Sequence, residues 1–135
     1  MRELVAKALE LWDGDVAAQQ HALDRFREIY AEPVRVNGTA TPVSEMVGRA
    51  RALGEAFTDR RTVLHDMVEG DGFVAIAFEI HARHTGTWPS AAGPIAATGH
   101  EVVVQGMDIF RLDAAGKVAV VWAVNDLGDA LTRMS

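Results

Sequence analysis

The stretch from His100 to Asp126, HEVVVQGMDIFRLDAAGKVAVVWAVND, constrains the fold of this chain more than any other stretch. Val, Ile, Phe and Trp dominate both of its arms, which predicts two long strands. The break between the arms ends at Gly116, which can adopt the positive φ that closes a short hairpin loop. Both faces of the first arm are largely apolar. We therefore expect helices to cover one face and another sheet or subunit to cover the other.

Asp108 places a carboxylate inside the apolar first arm. If Leu112 pairs with Lys117, Asp108 lies opposite Val121, while Asp126 falls on the other face. A one-residue slip in the loop would reverse the two faces. The predicted register gives Asp108 these neighbours on its own face: Val104, Phe110, Val121, Ala123 and Asn125. An acid in such surroundings should have a raised pKa unless a donor satisfies it.

Composition limits the classes of function that the chain can serve. Its 135 residues suit one domain, spanning 1–135. The net charge of −6, without a basic run, argues against nucleic acid or a membrane as partner and favours a small ligand that is not strongly anionic. No cysteine is present for disulfides or thiolate chemistry. The opening MRELVAKALELW is too charged for a signal peptide or membrane span, so we expect a cytoplasmic protein.

The hydrophobic pattern changes period along the chain, from helical in the first half to alternating in the second. The sequence predicts that Pro33 ends the second helix, that Thr41 or Ser44 caps the third, and that residues 85–98 form a mobile loop. The predicted elements are helices at about residues 2–12 and 16–30, a strand at 34–37, a third helix with Met46, Ala50, Leu53 and Phe57 on one face, strands at 62–68 and 73–84, and the final hairpin. This order, α-α-β-α-β-β-β-β, predicts an α+β domain in which a strongly bent antiparallel sheet wraps the helices.

Several segments, spread over nearly the whole chain, resemble a known family. They are ARHTG at 82–86 followed by a Pro-containing loop, GMDIFR at 106–111, GKV at 116–118, and Trp122 four residues before the DLG of 126–128. In order and spacing they resemble the SnoaL-like polyketide cyclases. The resemblance implies the cone-shaped fold of nuclear transport factor 2, with a curved antiparallel sheet and helices around a deep apolar pocket. It also implies a homodimer formed through the outer face of the sheet.

The resemblance further implies an intramolecular aldol cyclisation, in which an acid on the last strand acts with a His on the preceding strand. Carried over residue by residue, the acid falls on Ala123 and the His falls on Asp108. Alanine cannot transfer a proton. The Asp108 position also resembles the oxyanion-hole Asp of the ketosteroid isomerases, whose base would align on or beside Gly38, with Asn37 next to it.

Asp108 and His84 are the predicted catalytic residues. Asp108 could donate a hydrogen bond to an oxyanion when protonated or abstract a proton when ionised, and the alternative is a structural acid paired with His, Arg or backbone. His84 matches the strand-end His of the family, and the alternative is a loop histidine bonded to the backbone. We expect the substrate to be bound by Asn37, His65, Val104, Phe110, Val121, Ala123, Asn125 and Trp88. For His65, Asn37, Asn125 and Trp88 the alternative is a structural role in the sheet or the core.

No metal or cofactor is expected. His81 and His84 would lie on opposite faces of a strand, and the chain has no phosphate loop or dinucleotide fingerprint. Two main hypotheses remain: a cofactor-free lyase or isomerase acting on an apolar carbonyl or polyketide-like substrate, and a non-catalytic protein that binds an apolar small molecule. A dimeric cone used for protein contacts is a third. An epoxide hydrolase is a fourth, although Ala77 stands where such relatives often carry an Arg.

Overall fold

The computed structural model of the protein describes residues 1–134 and confirms the predicted α+β class, with helices packed on one face of a curved sheet. The helical segments are α1 (Arg2–Asp13), a 3₁₀ turn (Val16–Ala18), α2 (Ala22–Ile29), α3 (Val43–Ala56) and α4 (Leu127–Met134). The strands are β1 (Tyr30–Val36), β2 (Thr39–Thr41), β3 (Phe57–Gly70), β4 (Phe73–His84), β5 (Trp88–Ser90), β6 (Gly93–Ile95), β7 (Glu101–Leu112) and β8 (Val118–Asn125).

Six of the strands form one sheet in the order β2-β1-β8-β7-β4-β3, and β5 pairs with β6 in a separate small hairpin within the predicted mobile loop. Every neighbouring pair in the large sheet is antiparallel except β1 and β8, which run parallel. The long strand β3 has two register irregularities against β4, and such irregularities bend a strand. A sheet bent in this way can curve around the helices.

The predicted second helix proved to be two shorter segments, because the chain leaves the helix at Gln19 with extended dihedral angles before α2 begins at Ala22. The predicted end of this helix at Tyr30 is also wrong. The helix ends at Ile29, and Tyr30 is the first residue of β1, where it pairs with Val118 of β8. Pro33 therefore lies within a strand and does not terminate a helix.

The third helix begins at Val43 without a side-chain cap from Thr41 or Ser44. The carboxylate of Glu32, on β1, instead accepts a hydrogen bond from the Val43 N–H at 3.1 Å. The predicted last apolar residue of this helix, Phe57, already belongs to β3. A tertiary contact thus replaces the local cap that the sequence pattern predicted.

The core fills the space between the helices and the inner face of the sheet. Phe26 of α2 is completely buried, which contributes about 1.5 to 3 kcal/mol to folding. Its ring packs edge-on against Trp12, with centroids 6.0 Å apart, and lies nearly parallel to Tyr30 at 6.2 Å. These contacts fix the positions of both Trp12 and Tyr30 on the inner side of the molecule.

The last hairpin differs from its predicted register by two residues. Asp108 pairs with Ala123 rather than Val121, for two reasons. Asp113 and Lys117 pair through a backbone hydrogen bond of 2.9 Å, which makes the loop tip one residue tighter, and a bulge at Ala119 adds one further residue. Because the shift is an even number, the predicted assignment of side chains to the two faces is preserved.

The outer face of the hairpin carries apolar side chains that nothing within residues 1–134 covers. Met107 is 59% exposed and Trp122 is 50% exposed, and Val103, Ile109 and Val124 lie beside them on the same face. The predicted covering of this face is therefore not supplied by the described part of the chain. Among those residues, no helix has both the length and the apolar character needed to cross a lipid bilayer.

Candidate active site

A cavity of about 340 Å³ lies between the inner face of the sheet and the helices. Its size is at the lower end of the range for small-molecule sites, roughly 300 to 1,000 Å³. Most of the wall is apolar, formed by α1, α3, β4, β7 and β8. Seven of the predicted site residues contribute to this wall: Asn37, Val104, Asp108, Phe110, Val121, Ala123 and Asn125.

Asp108 is a partly buried carboxylate on the cavity wall, between Ile76 of β4 and Ala123 of β8. Burial raises its pKa from 3.8 to about 7, and no charged partner or hydrogen bond contributes to this shift. Within residues 1–134, Asp108 therefore lacks the charged or hydrogen-bonding partner that the structural alternative requires. A carboxyl group with this pKa can change protonation state near neutral pH, which suits it to acid–base chemistry.

Tyr30 is a second polar group on the cavity wall, and sequence analysis did not identify it. Its hydroxyl oxygen accepts a hydrogen bond from the indole N–H of Trp12 at 2.9 Å. The pKa of Tyr30 is raised to about 12, mainly by burial; the hydrogen bond from Trp12 opposes this shift, and the nearby charge of Asp108 adds to it. Because an indole can only donate, the hydroxyl hydrogen remains free to donate to another oxygen. Tyr30 is the only tyrosine in the chain. The hydroxyl of a buried tyrosine usually forms a hydrogen bond, and this rule could have marked Tyr30 as a candidate site residue from the sequence.

Asn37 lies on the cavity wall, but its side-chain amide is used to build the sheet. Its Oδ1 accepts from the Ala123 N–H at 2.8 Å, and its Nδ2 donates to the Ala123 carbonyl at 3.1 Å. Asn37 and Gly38 both have positive φ and form the two-residue turn between β1 and β2. The Asn-Gly pair is a strong hairpin signal that could have predicted this turn. Asn37 thus holds the backbone opposite Asp108 in place.

Asn125 and Asp126 both form hydrogen bonds at the start of α4. The Oδ1 of Asn125 accepts from the Leu127 N–H at 3.1 Å, so Asn125 rather than Asp126 supplies the turn at the helix start. The carboxylate of Asp126 accepts from the Gln105 N–H at 2.7 Å and extends the β7 pairing. Asn125 keeps its amide nitrogen available at the cavity wall.

His84, predicted as catalytic, does not line the cavity. It is fully buried, its Nδ1 lies 3.2 Å from Thr98 Oγ1, and its Nε2 has no partner among the described residues. Its ring packs on Phe57 at 5.2 Å, and Phe57 in turn packs on Trp88 at 5.8 Å. Trp88, predicted to bind substrate, therefore packs in a row of rings with Phe57 and His84 and, like His84, does not line the cavity. The loop after β4 folds back over His84, which the sequence pattern did not predict.

His65 also lies apart from the cavity, because Leu64 before it packs against the core and alternation along the strand places His65 on the outer face of the sheet. Its Nε2 is 2.7 Å from the carboxylate of Glu79. Both residues border an open depression of about 590 Å³ on that face. This depression is open to solvent, and its His65 and Glu79 side chains already contact each other. We therefore place the candidate site in the inner cavity.

The remaining charged groups of the cavity wall are Asp13, Arg49 and Arg60. The Asp13 carboxylate accepts hydrogen bonds from the N–H and the hydroxyl of Thr62, at 3.0 and 2.7 Å. The Arg60 guanidinium donates to the carbonyls of Phe57, Asp13 and Gly14 at 2.9 to 3.1 Å. No group of three or more metal-ligating side chains occurs among residues 1–134.

The family model of the SnoaL-like polyketide cyclases matches residues 5–133 of this chain. The chain belongs to the SnoaL-like polyketide cyclase family. Among curated proteins, none matches this sequence. In this family member, the positions to which the resemblance assigns the acid and the His, Ala123 and Asp108, are direct partners on neighbouring strands. The carboxylate therefore lies one strand away from the position expected for the SnoaL-like cyclases.

Several solved structures, two of them named as SnoaL-like, share the fold of this chain. A protein from Jannaschia sp. CCS1, named as a candidate SnoaL-like polyketide cyclase, has a TM-score of 0.76 and 21% identity, covering 99% of this chain and 92% of its own. TsrD from Streptomyces laurentii has a TM-score of 0.77 and 19% identity, covering 98% of this chain and 92% of its own. A SnoaL-like polyketide cyclase from Agrobacterium tumefaciens has a TM-score of 0.71 and 18% identity, covering 96% of this chain and 95% of its own.

Proposed function

We propose that this SnoaL-like protein is a cofactor-free proton-transfer enzyme that enolises an apolar carbonyl compound, leading to aldol cyclisation or isomerisation. The observation that carries the proposal is Asp108, a carboxyl group with a pKa of about 7 on the wall of an otherwise apolar cavity. At neutral pH such a group is ionised in a large fraction of molecules, yet it is basic enough to accept a proton from carbon. This balance is what general acid–base catalysis requires.

In the proposed reaction, the Asp108 carboxylate removes a proton from the carbon next to the substrate carbonyl. The C–H bond breaks, the proton moves to the carboxylate, and the electron pair moves through the new enolate to the carbonyl oxygen. The free hydroxyl hydrogen of Tyr30 donates to that oxygen as negative charge develops. The enolate carbon then either attacks a second carbonyl, whose oxygen takes the proton from neutral Asp108, or the enolate takes that proton back at another carbon; both routes restore the Asp108 carboxylate.

The separation of the two pKa values supports this division of roles. Tyr30, at about 12, stays protonated and remains a donor, whereas Asp108, at about 7, exchanges its proton near neutral pH. Pairs of titratable groups with separated pKa values are typical of acid–base sites. Because the Trp12 indole donates to the Tyr30 oxygen, the hydroxyl hydrogen of Tyr30 is not used in that bond and can be donated to a substrate.

The test is deuterium exchange at the carbon next to the carbonyl of 2-tetralone, a bicyclic apolar ketone, in D₂O near neutral pD. We expect the protein to accelerate exchange with saturation kinetics, as followed by proton NMR. We expect 2-naphthol, a planar enol without exchangeable C–H bonds of this kind, to inhibit competitively. Exchange no faster than with an equal concentration of acetate would contradict the proposal.

A non-catalytic binding protein for apolar small molecules is the second candidate, and Ala123 is the observation that favours it. Ala123 occupies the position to which the resemblance assigns the family's acid, and its methyl group cannot transfer a proton. Tight binding of 2-naphthol without any acceleration of 2-tetralone exchange would favour this candidate over the enzyme.

We also propose that a second copy of the chain covers the outer face of the sheet, around Met107, Ile109 and Trp122. These side chains are too apolar and too exposed to be typical of a free surface. We expect a dimer in sedimentation velocity at micromolar concentration. Trp122→Glu should raise the dimer dissociation constant by about tenfold or more, since it adds an unpaired charge to the interface.

The matched control for the dimer is Ala18→Glu, which adds the same charge at an exposed position on the helical side. It should leave the dimer intact. A wild-type protein that sediments as a monomer, or equal weakening by both variants, would contradict the proposed interface.

A further inference from the structure

Arg49 is a cation on the cavity wall that forms no ion pair or hydrogen bond with a buried group among residues 1–134. It lies on α3 between Met46 and Leu53, at helical spacing, and all three line the cavity. The net charge of the whole chain is negative, whereas Arg49 places a positive charge on the cavity wall.

The only ion pair of Arg49 among the described residues is with Glu45, one turn earlier on the same helix, at 3.6 Å. The Arg49 and Glu45 side chains are 47% and 54% exposed. Exposed pairs at this spacing contribute little, because water and salt screen them. By contrast, the charged groups of Asp13 and Arg60 are already held by hydrogen bonds within the protein. Arg49 is therefore available to a ligand.

Arg49 and Asp108 stand on different walls of the cavity. Arg49 lies on α3, on the helical side, whereas Asp108 lies on β7, in the sheet, and the described residues contain no ion pair between them. Most of the other residues that line the cavity are apolar. A ligand that uses both must be apolar in the middle and polar at each end.

We propose that Arg49 binds an anionic substituent, such as a carboxylate, on a substrate whose reacting carbonyl lies at Asp108. The substrate class is then an apolar keto acid that carries one negative charge. The role of the carbonyl end rests on the proposed function, whereas the role of Arg49 is a matter of binding alone. A single carboxylate also agrees with the net charge of −6, which disfavours strongly anionic ligands. Guanidinium groups suit this task because they donate two parallel hydrogen bonds to a carboxylate.

The experiment compares two probes of nearly equal shape, 4-acetylbenzoate and its neutral methyl ester, by isothermal titration calorimetry at low ionic strength. Wild-type protein should bind the acid more tightly than the ester. Arg49→Met should weaken binding of 4-acetylbenzoate about tenfold while changing the ester affinity less than about twofold. Glu45→Gln, which removes the surface partner of Arg49, should strengthen binding of the acid.

The matched control is Arg35→Met, which removes the same charge from an exposed position of β1 outside the cavity wall and should leave both affinities unchanged. Arg49→Lys should retain part of the preference for the acid. Wild-type protein that binds the acid no better than the ester, or an Arg49→Met variant that loses both probes equally, would overturn the inference. These outcomes are separate from the test of the reaction, because none of them depends on turnover.

Discussion

Asp108→Asn should slow the deuterium exchange of 2-tetralone by about 100- to 10,000-fold, the range expected when a positioned general base is removed. The amide has nearly the same shape as the carboxyl group but cannot accept the proton from carbon. Binding of 2-naphthol should change little, because the apolar wall around residue 108 is unaltered. Exchange rates by proton NMR and binding by fluorescence measure the two effects separately.

The pH dependence of exchange identifies which form of Asp108 acts. Because the base must be ionised, the wild-type rate should rise with pH and level off above a midpoint near 7. Tyr30→Phe should lower the rate by about 100- to 1,000-fold without removing this midpoint, since it deletes only the donor to the oxygen. Asp66→Asn, an exposed acid on β3, is the control and should leave the profile unchanged. A rate that falls as pH rises through 7 would instead assign Asp108 the role of a protonated donor.

The second large effect is on stability. Relative to Asp108→Asn, wild-type protein should lose roughly 2 to 3 kcal/mol of unfolding free energy between pH 5 and pH 8. The folded pKa, about 7, lies above the value of 3.8 for the exposed group, so the native state holds the proton more tightly than the unfolded chain. The stabilising contribution is therefore complete below pH 3.8 and is lost as pH rises through 7. About two units of the shift fall inside the window, each worth about 1.36 kcal/mol.

Urea denaturation of both proteins at pH 5, 6, 7 and 8 measures this difference directly. Other acids titrate equally in the wild-type protein and in Asp108→Asn, so they cancel in the comparison. A difference between the two proteins that stays constant from pH 5 to pH 8 would show that Asp108 does not have a raised pKa. In that case both the base role and the stability effect would fail together.

Local pattern was enough to predict some of the fold. The alternation of apolar residues predicted β4 with the bounds that the structure shows, Phe73–His84. The ends of α2 and α3 were harder, because Tyr30 and Phe57 are apolar residues that suit either a helix or a strand. Tertiary pairing decides between the two: Tyr30 pairs with Val118, and Phe57 pairs with His84.

The sequence predicted those residues of the candidate site whose positions follow from the alternation of side chains along a strand. Asp108 and Phe110 had to share a face because they are two residues apart on a strand. Tyr30 and Arg49 could not be found in this way, since their roles depend on how α1 and α3 pack on the sheet. His84 shows the opposite failure, because a position at a strand end does not reveal that Thr98 and the following loop bury it.

The bulge at Ala119 has a consequence for how such a cavity can change during evolution. Without that extra residue the tighter loop tip would pair Asp108 with Trp122, and the indole ring would point inward and fill the space that a ligand needs. Gain or loss of a single residue in this hairpin therefore exchanges the cavity wall with the outer surface, whereas changes of two residues leave the wall intact. Hairpin length in related chains should accordingly vary in steps of two unless a bulge is gained or lost at the same time.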